Sequence, residues 1–382
     1  MEMSSVSAPI TKYLMAKAVR QKIPLSGIFE LTPLCNMNCR MCYVRMNREE
    51  QEKIAPLGTV EQWLEVGKEA RDSGMLYLLL TGGEPFLRKD FREIYQGLYD
   101  LGIIIEINSN GTLIDEQTVA WLREVPPQRI NITLYGASDV TYGRLCRNPK
   151  GFTQVSRAIR LLKEARINVR LNCSVTPYNA DDLEDIFAFG RREDIPVRAA
   201  SYMYPPVRRD ASSVGVNDRF SPEEAAYHDA RIKAYSLGDE KFLEWADRNE
   251  NILPELNDDI CGEMKAEGVR CHAGKSSFWV TWNGCMVPCG MFRGEEEHNV
   301  FREGFTKNWK RVLEETARIR LAPECGACAK KDICKSCAAM EITENGKFGN
   351  VPEYRCQMVK TMPDAVRKVK QEILEERRKC NE

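Results

Sequence analysis

The chain has 382 residues, 43% hydrophobic and 29% charged, with 55 Lys and Arg against 56 Asp and Glu. That composition can bury a substantial core in one large unit plus a smaller one, and a net charge of -1 gives no basic field, so nucleic acid is not an expected partner. No apolar run reaches membrane-spanning length, Lys12 and Lys17 interrupt the stretch from Ile10 to Val19, and no secretory signal is visible, so we expect a cytoplasmic protein without a membrane partner.

After an N-terminal helical segment (1–24), short apolar runs alternate with helical patterns. Strands are expected at Gly27 to Leu31, Leu76 to Leu80, Ile103 to Ile107, Ile130 to Leu134, Val169 to Val175 and Val197 to Tyr202. Helices are expected at Val60 to Ser73, Lys89 to Asp100, Asp115 to Val125, Phe152 to Ala165 and Asp181 to Arg192, the last with Asn179 as a cap. This alternation implies an α/β fold on a parallel sheet over residues 25–204, with the chemistry on loops at the carboxyl ends of the strands. The polar run from Pro205 to Ser221 reads equally as a mobile loop over the barrel mouth or as a linker; it and the helix Pro222 to Leu237 make a connecting region, 205–260. A cysteine-dense region, 261–358, and an amphipathic C-terminal helical segment, 359–382, complete the chain.

Fifteen cysteines in so long a chain speak for metal ligation rather than a disulfide framework, and the three histidines, His228, His272 and His298, read as surface or packing residues. Cys35, Cys39 and Cys42 follow the first strand at C-x3-C-x2-C spacing, which can ligate three corners of a [4Fe–4S] cube and leave the fourth iron for substrate. Structural zinc is the plain alternative, but its ligands usually come as pairs of C-x2-C knuckles. After the second strand come Gly82, Gly83, Glu84 and Pro85, where the glycines would allow close backbone approach and Glu84 could accept from an ammonium group.

Together these motifs resemble the radical SAM superfamily, and the resemblance covers almost the whole chain. It implies a partial (β/α)6 TIM-like barrel, S-adenosylmethionine (SAM) chelated by the spare iron, and Gly82, Gly83 and Glu84 as its GGEP motif. Tyr43 matches the aromatic placed against the SAM adenine, while Asn110 and Thr133 fall where the family has polar contacts to ribose and carboxylate. Glu106 and Asp139 are candidates for a catalytic base by loop position only. The cysteine-dense region resembles the SPASM domain, which in full form binds two auxiliary [4Fe–4S] clusters. The family wiring would give Cys325, Cys328, Cys334 and Cys356 to the distal cluster and Cys271, Cys289 and Cys337 to the proximal one. Cys261 is the favoured fourth proximal ligand, with Cys285 or an open iron as alternatives, and Cys146, Cys173 and Cys380 are left over.

SPASM-bearing relatives act mostly on peptides and proteins, so the resemblance implies oxidative modification of a ribosomally made peptide by a thioether or carbon–carbon crosslink. It also implies a flavodoxin or ferredoxin as reductant, and the short N-terminus suggests a separate leader-binding protein. Sulfatase-maturing enzymes carry an Asp after the cysteine matching Cys289, where this chain has Gly290. A small-molecule dehydrogenase or epimerase is the rival enzyme reading. A non-enzymatic iron–sulfur carrier would explain the clusters but not Gly82 to Glu84.

Overall fold

The computed structural model describes residues 9–249, 264, 266–295 and 298–381. Strands β1 (Ser26–Glu30), β2 (Tyr77–Thr81), β3 (Ile104–Ser109), β4 (Arg129–Thr133), β5 (Val169–Ser174) and β6 (Val197–Ala200) pair in parallel, each beside its neighbour in sequence. All six strands expected from the apolar runs are there, within a few residues at their ends.

Two further short strands extend the sheet: β7 (Ser277–Val280) pairs in parallel with β1, and β8 (Met286–Val287) pairs antiparallel with β7. The order is therefore β6-β5-β4-β3-β2-β1-β7-β8, an unclosed barrel sheet whose edges are β6 and β8. Four- and two-residue strands carry too little periodicity to stand out in a cysteine-rich stretch.

Alternate residues of each strand face the outer helices or the lumen. Along β5, Val169, Leu171 and Cys173 are buried in the main core, while Arg170, Asn172 and Ser174 are only half-buried. The helices form where sequence supplies both cap and stripe: Thr59 and Gln62 close a capping box on Val60–Asp72, whose Trp63, Val66 and Ala70 are buried. Trp63 stacks 5.0 Å from both Phe29 and Phe301, and Phe278 of β7 lies 4.9 Å from Phe305, so aromatic packing joins the cysteine-rich region to the barrel. Pro222–Leu237 starts at a second box, Ser221 with Glu224, and packs against the last helix, Met362–Asn381, through Tyr227 and Glu372 among others.

Asn179 is a correction. Its side chain does not cap a helix; it accepts from the Thr176 N–H at 2.7 Å, and a 3-10 turn, Ala180–Asp182, precedes the helix Leu183–Arg192.

The segment after β6 is tied down rather than loose. Arg208 donates to Glu30 on β1 at 2.6 Å and to the Gly290 carbonyl at 2.7 Å, tying the connection after β6 to β1. Arg219 forms a two-pronged pair with Glu344 in the helix Ala338–Asn345, both side chains almost fully buried. No helix among the described residues is long and apolar enough to cross a membrane.

Candidate functional site

The loop from Leu31 to Tyr43 lies at the carboxyl end of β1, and backbone bonds fix it on two sides. Asn38 and Arg40 donate to the carbonyls of Cys146 and Leu145 at 3.0 and 3.2 Å, and Leu31 donates to Thr81 at 2.8 Å. N–H groups reach the sulfurs: Met37 to Cys35 at 3.4 Å and Arg45 to Cys42 at 3.2 Å, with the Asn110 amide 3.6 Å from Cys35. Burial pushes the Cys35 thiol up to about 12 despite the Met37 donor, and neighbouring Cys39 and Cys42 add to it. Cys39 is also raised, first through its contact with Cys146 and then by burial. No three His, Cys, Asp or Glu side chains among the described residues stand ready to hold a single metal ion, but three thiols on one loop that resist ionisation alone suit a cluster, because bound metal supplies the positive charge that thiolates lack here. The donor set fits an iron–sulfur cluster, and this loop would hold it.

Glu84 stands beside these thiols, fully buried. One oxygen accepts from the Phe86 N–H at 3.1 Å and the Ser109 hydroxyl at 2.9 Å, the other from the Asn110 N–H at 2.7 Å. A carboxylate has about four lone-pair sites, so these three donors leave room for one more, such as an ammonium. Burial outweighs the three donors and pushes the carboxyl up to about 7.

The two glycines preceding it have a physical reason that differs from the expected one. A Cβ on Gly82, at φ 157°, would meet the Thr32 carbonyl oxygen at 2.5 Å, and one on Gly83 would meet that of Leu34 at 2.3 Å. The Gly83 and Glu84 N–H groups donate to those carbonyls at 2.6 and 2.9 Å, so the glycines let this turn zip onto the cysteine loop.

Asn110 joins the cluster loop directly, its amide donating to Asn36 at 2.9 Å. Thr133 ends β4, and its carbonyl accepts from Tyr142 at 3.3 Å. The Tyr43 ring lies under the Arg208 guanidinium, 5.6 Å away, and lines a cavity of about 220 Å³ with Arg209, Trp282 and Cys285. Glu106 is engaged by Arg129 at 2.6 Å inside the sheet, and Asp139 accepts from Thr153 at the start of the helix Gly151–Glu164, so neither reaches the cysteine loop. His228 is a packing residue, stacked 4.3 Å from Phe220.

The C-terminal cysteines fall into two groups by mutual influence. Cys289 is pushed up to about 11 by burial, with Cys337 and Cys271 adding to it. Cys325 is pushed up to about 11 by burial, with Glu341, Cys334 and Cys356 adding, and Cys356 feels Cys334 and Cys328 in turn. Cys285 is buried on the hairpin between β7 and β8, its N–H donating to the Thr281 hydroxyl at 3.1 Å, and Cys261 lies outside the described residues. Tyr204, just past β6, puts its hydroxyl 3.8 Å from the Cys337 sulfur; nothing in the sequence pattern singles it out. Arg208 and its buried partner Glu30, which also accepts from Trp279 at 3.2 Å, were equally invisible, since no local signal marks an arginine that will tie the connection after β6 to β1.

The barrel sheet thus carries, at its carboxyl-end rim, three cysteines on a loop zipped to a Gly-Gly-Glu turn. Residues 29–190, from β1 to the helix Leu183–Arg192, match the Radical SAM superfamily, so this stretch is a radical SAM domain and the protein an enzyme. That membership implies a [4Fe–4S] cluster and SAM. Among curated relatives, an AdoMet-dependent heme synthase of Methanosarcina barkeri is 24% identical over 84% of this chain and 93% of its own. The subtilosin biosynthesis protein AlbA of Bacillus subtilis is 25% identical over 82% of this chain and 65% of its own. Among solved structures, Streptococcus suis SuiB bound to its precursor peptide SuiA covers 91% of this chain and 82% of its own, at a TM-score of 0.64 and 17% identity. The enzyme anSMEcpe with bound AdoMet and a peptide covers 92% and 99%, at 0.63 and 18%.

Proposed function

We propose that this enzyme oxidatively modifies a ribosomally made peptide, forming a thioether or carbon–carbon crosslink. The observation that carries the reading is the arrangement of thiols: one set beside Glu84 at the barrel rim, and a second in which Cys337 and Cys271 act on Cys289, with Cys337 3.8 Å from the Tyr204 hydroxyl just past β6. Cys35, Cys39 and Cys42 would hold the cluster, which with SAM would supply one-electron reduction and hydrogen abstraction from carbon.

Around that chemistry the chain's own residues have three tasks. Glu84 would hold the SAM ammonium on its remaining lone-pair site, with Tyr43, Asn110 and Thr133 beside the rest of the cofactor. Arg208 and Glu30 close the side of the barrel and exclude water from a radical it would quench. Cys271, Cys289 and Cys337, with Cys261 as fourth ligand, would hold a proximal auxiliary cluster, and Cys325, Cys328, Cys334 and Cys356 a distal one. Such clusters supply one-electron acceptor capacity, which a crosslink needs because it removes two hydrogens from the substrate.

Peptide-directed relatives support the substrate class: AlbA by name belongs to bacteriocin biosynthesis, and SuiB is seen with a precursor peptide. Gly290 argues against sulfatase maturation, because a Cβ there would meet the Trp279 ring at 2.7 Å, so an Asp has no room. A small-molecule substrate is the second reading, favoured by the heme synthase relatives, which match this chain over most of its length. A reducing flavodoxin or ferredoxin and a separate leader-binding protein complete the proposed assembly, in the cytoplasm.

The test is mass spectrometry of a peptide encoded beside the gene and co-expressed with the enzyme. The expected product is lighter by two hydrogens and is lost when Cys328 and Cys334 are replaced, while SAM cleavage continues. Unchanged mass with solvent deuterium at one α-carbon would replace crosslinking by epimerisation.

A further inference from the structure

The lumen of the barrel carries more positive charge than its own carboxylates can match. Glu106 on β3 spends both oxygens on β4: one on Arg129 at 2.6 Å, the other on the Asn131 amide at 3.1 Å. Glu30 on β1 is likewise taken, by Arg208 and Trp279. Two guanidinium groups remain. Arg170, in register with Asn131, and Arg198, in register with Asn172, lie on the lumen face of β5 and β6, because their neighbours Leu171, Val197 and Ala199 pack into the outer core. Neither arginine has a hydrogen bond or ion pair among the described residues, and the Arg170 Nε is shielded from water with no partner. Arg170 is held down at about 10 by burial and by Arg129 and Arg198, with Glu106 alone pulling the other way.

Arg170 is half-buried and Arg198, on the edge strand, is exposed; a half-buried guanidinium without a counter-ion is costly, and the planar fork of either residue matches a carboxylate in two-point geometry. The facing wall is different in kind, with Ile28, Leu79 and Trp279 on β1, β2 and β7. Arg170 lies four residues below the end of β5, about 13 Å at the usual strand rise, well beneath the rim that carries Glu84.

We propose that Arg170 and Arg198 form a receptor in the barrel lumen for a carboxylate of the substrate, one attached to an apolar or aromatic body that lies on the opposite wall. On the peptide reading above, which this inference deepens, the group is an acidic side chain or the C-terminal carboxylate near the modified residue. The stair from Arg129 through Arg170 to Arg198 climbs toward β6, the edge from which such a group would enter.

The test is calorimetric and needs no turnover. The reconstituted enzyme with SAM is titrated with two N-acetylated, C-amidated pentapeptides, each with a tyrosine on either side of a central Glu or Gln, and with glutarate. The Glu peptide should bind at least ten-fold tighter than the Gln peptide. Arg170→Gln with Arg198→Gln should erase that difference while SAM affinity stays at the wild-type value, which also shows that the variant is folded. Equal binding of the two peptides, a preference that survives in the double variant, or no binding by any probe overturns the proposal. So does a ten-fold loss of SAM affinity, which would give the arginines to the carboxylate of SAM. Glutarate binding as tightly as the Glu peptide would keep the receptor and transfer it to a small carboxylic acid, sinking the peptide reading alone.

Discussion

Glu84 concentrates the electrostatic problem of the site in one side chain. Buried without a cation it resists ionisation up to about pH 7, against an ordinary value of 4.5. Because the folded value is raised, its carboxyl costs the empty protein nothing below about pH 4.5, a growing amount between 4.5 and about 7, and the full amount above that. An ammonium on the free lone pair reverses this. SAM affinity should therefore fall toward ten-fold per unit below pH 7, as a proton must first leave the carboxyl. Glu84→Gln keeps the shape, should weaken SAM binding by about 1.5–3 kcal/mol, and should abolish that pH dependence. Calorimetry from pH 5.5 to 8.5, an arbitrary window of about three units, reads both effects. Unchanged affinity in the variant would make Glu84 a structural residue that only fastens Ser109 and Asn110.

At the scale of elements, the connection after β6 behaves as a strut. Arg219 pairs with both oxygens of Glu344 and stacks 3.5 Å over Tyr354, while the Tyr202 hydroxyl donates to the same carboxylate at 2.6 Å. Three elements thus share one buried charge pair: the end of β6, the helix Ala338–Asn345 that follows Cys337, and the helix Glu353–Lys360 that carries Cys356. Removing one partner strands the other, so Glu344→Gln should cost about 3–5 kcal/mol of stability. Denaturant unfolding of the variant measures this. A loss below about 1 kcal/mol, the worth of an exposed pair, would show that water already reaches the site.

For the whole molecule, the three thiol groups predict metal content. The anaerobically reconstituted enzyme should hold about twelve irons, from three four-iron clusters, and changing Cys35, Cys39 and Cys42 to Ala should leave about eight. With dithionite and SAM the unmodified enzyme should release 5'-deoxyadenosine and the triple variant none. Iron near four in the unmodified protein would remove the auxiliary clusters from the reading, and SAM cleavage by the triple variant would move the radical site elsewhere.

What the sequence determined by itself is what short-range rules govern. Apolar runs of strand length between amphipathic helices specify a parallel sheet, and C-x3-C-x2-C marks a candidate cluster loop, because each signal lies within a few residues of chain. The same rules placed the catalytic rim at the carboxyl end of β1. Only the tertiary structure decided what depends on residues far apart. It extended the sheet with β7 and β8, whose signal is too short to read. It showed that Gly82 and Gly83 make room for the carbonyls of Thr32 and Leu34, since a glycine reports that space is needed but not what fills it. It joined Arg208 to Glu30 across 178 residues and left the buried Arg170 Nε without a partner among the described residues. A charge in a sequence has no counter-ion until the fold supplies one, and charge matching in a barrel is a sum over strands that no single segment contains.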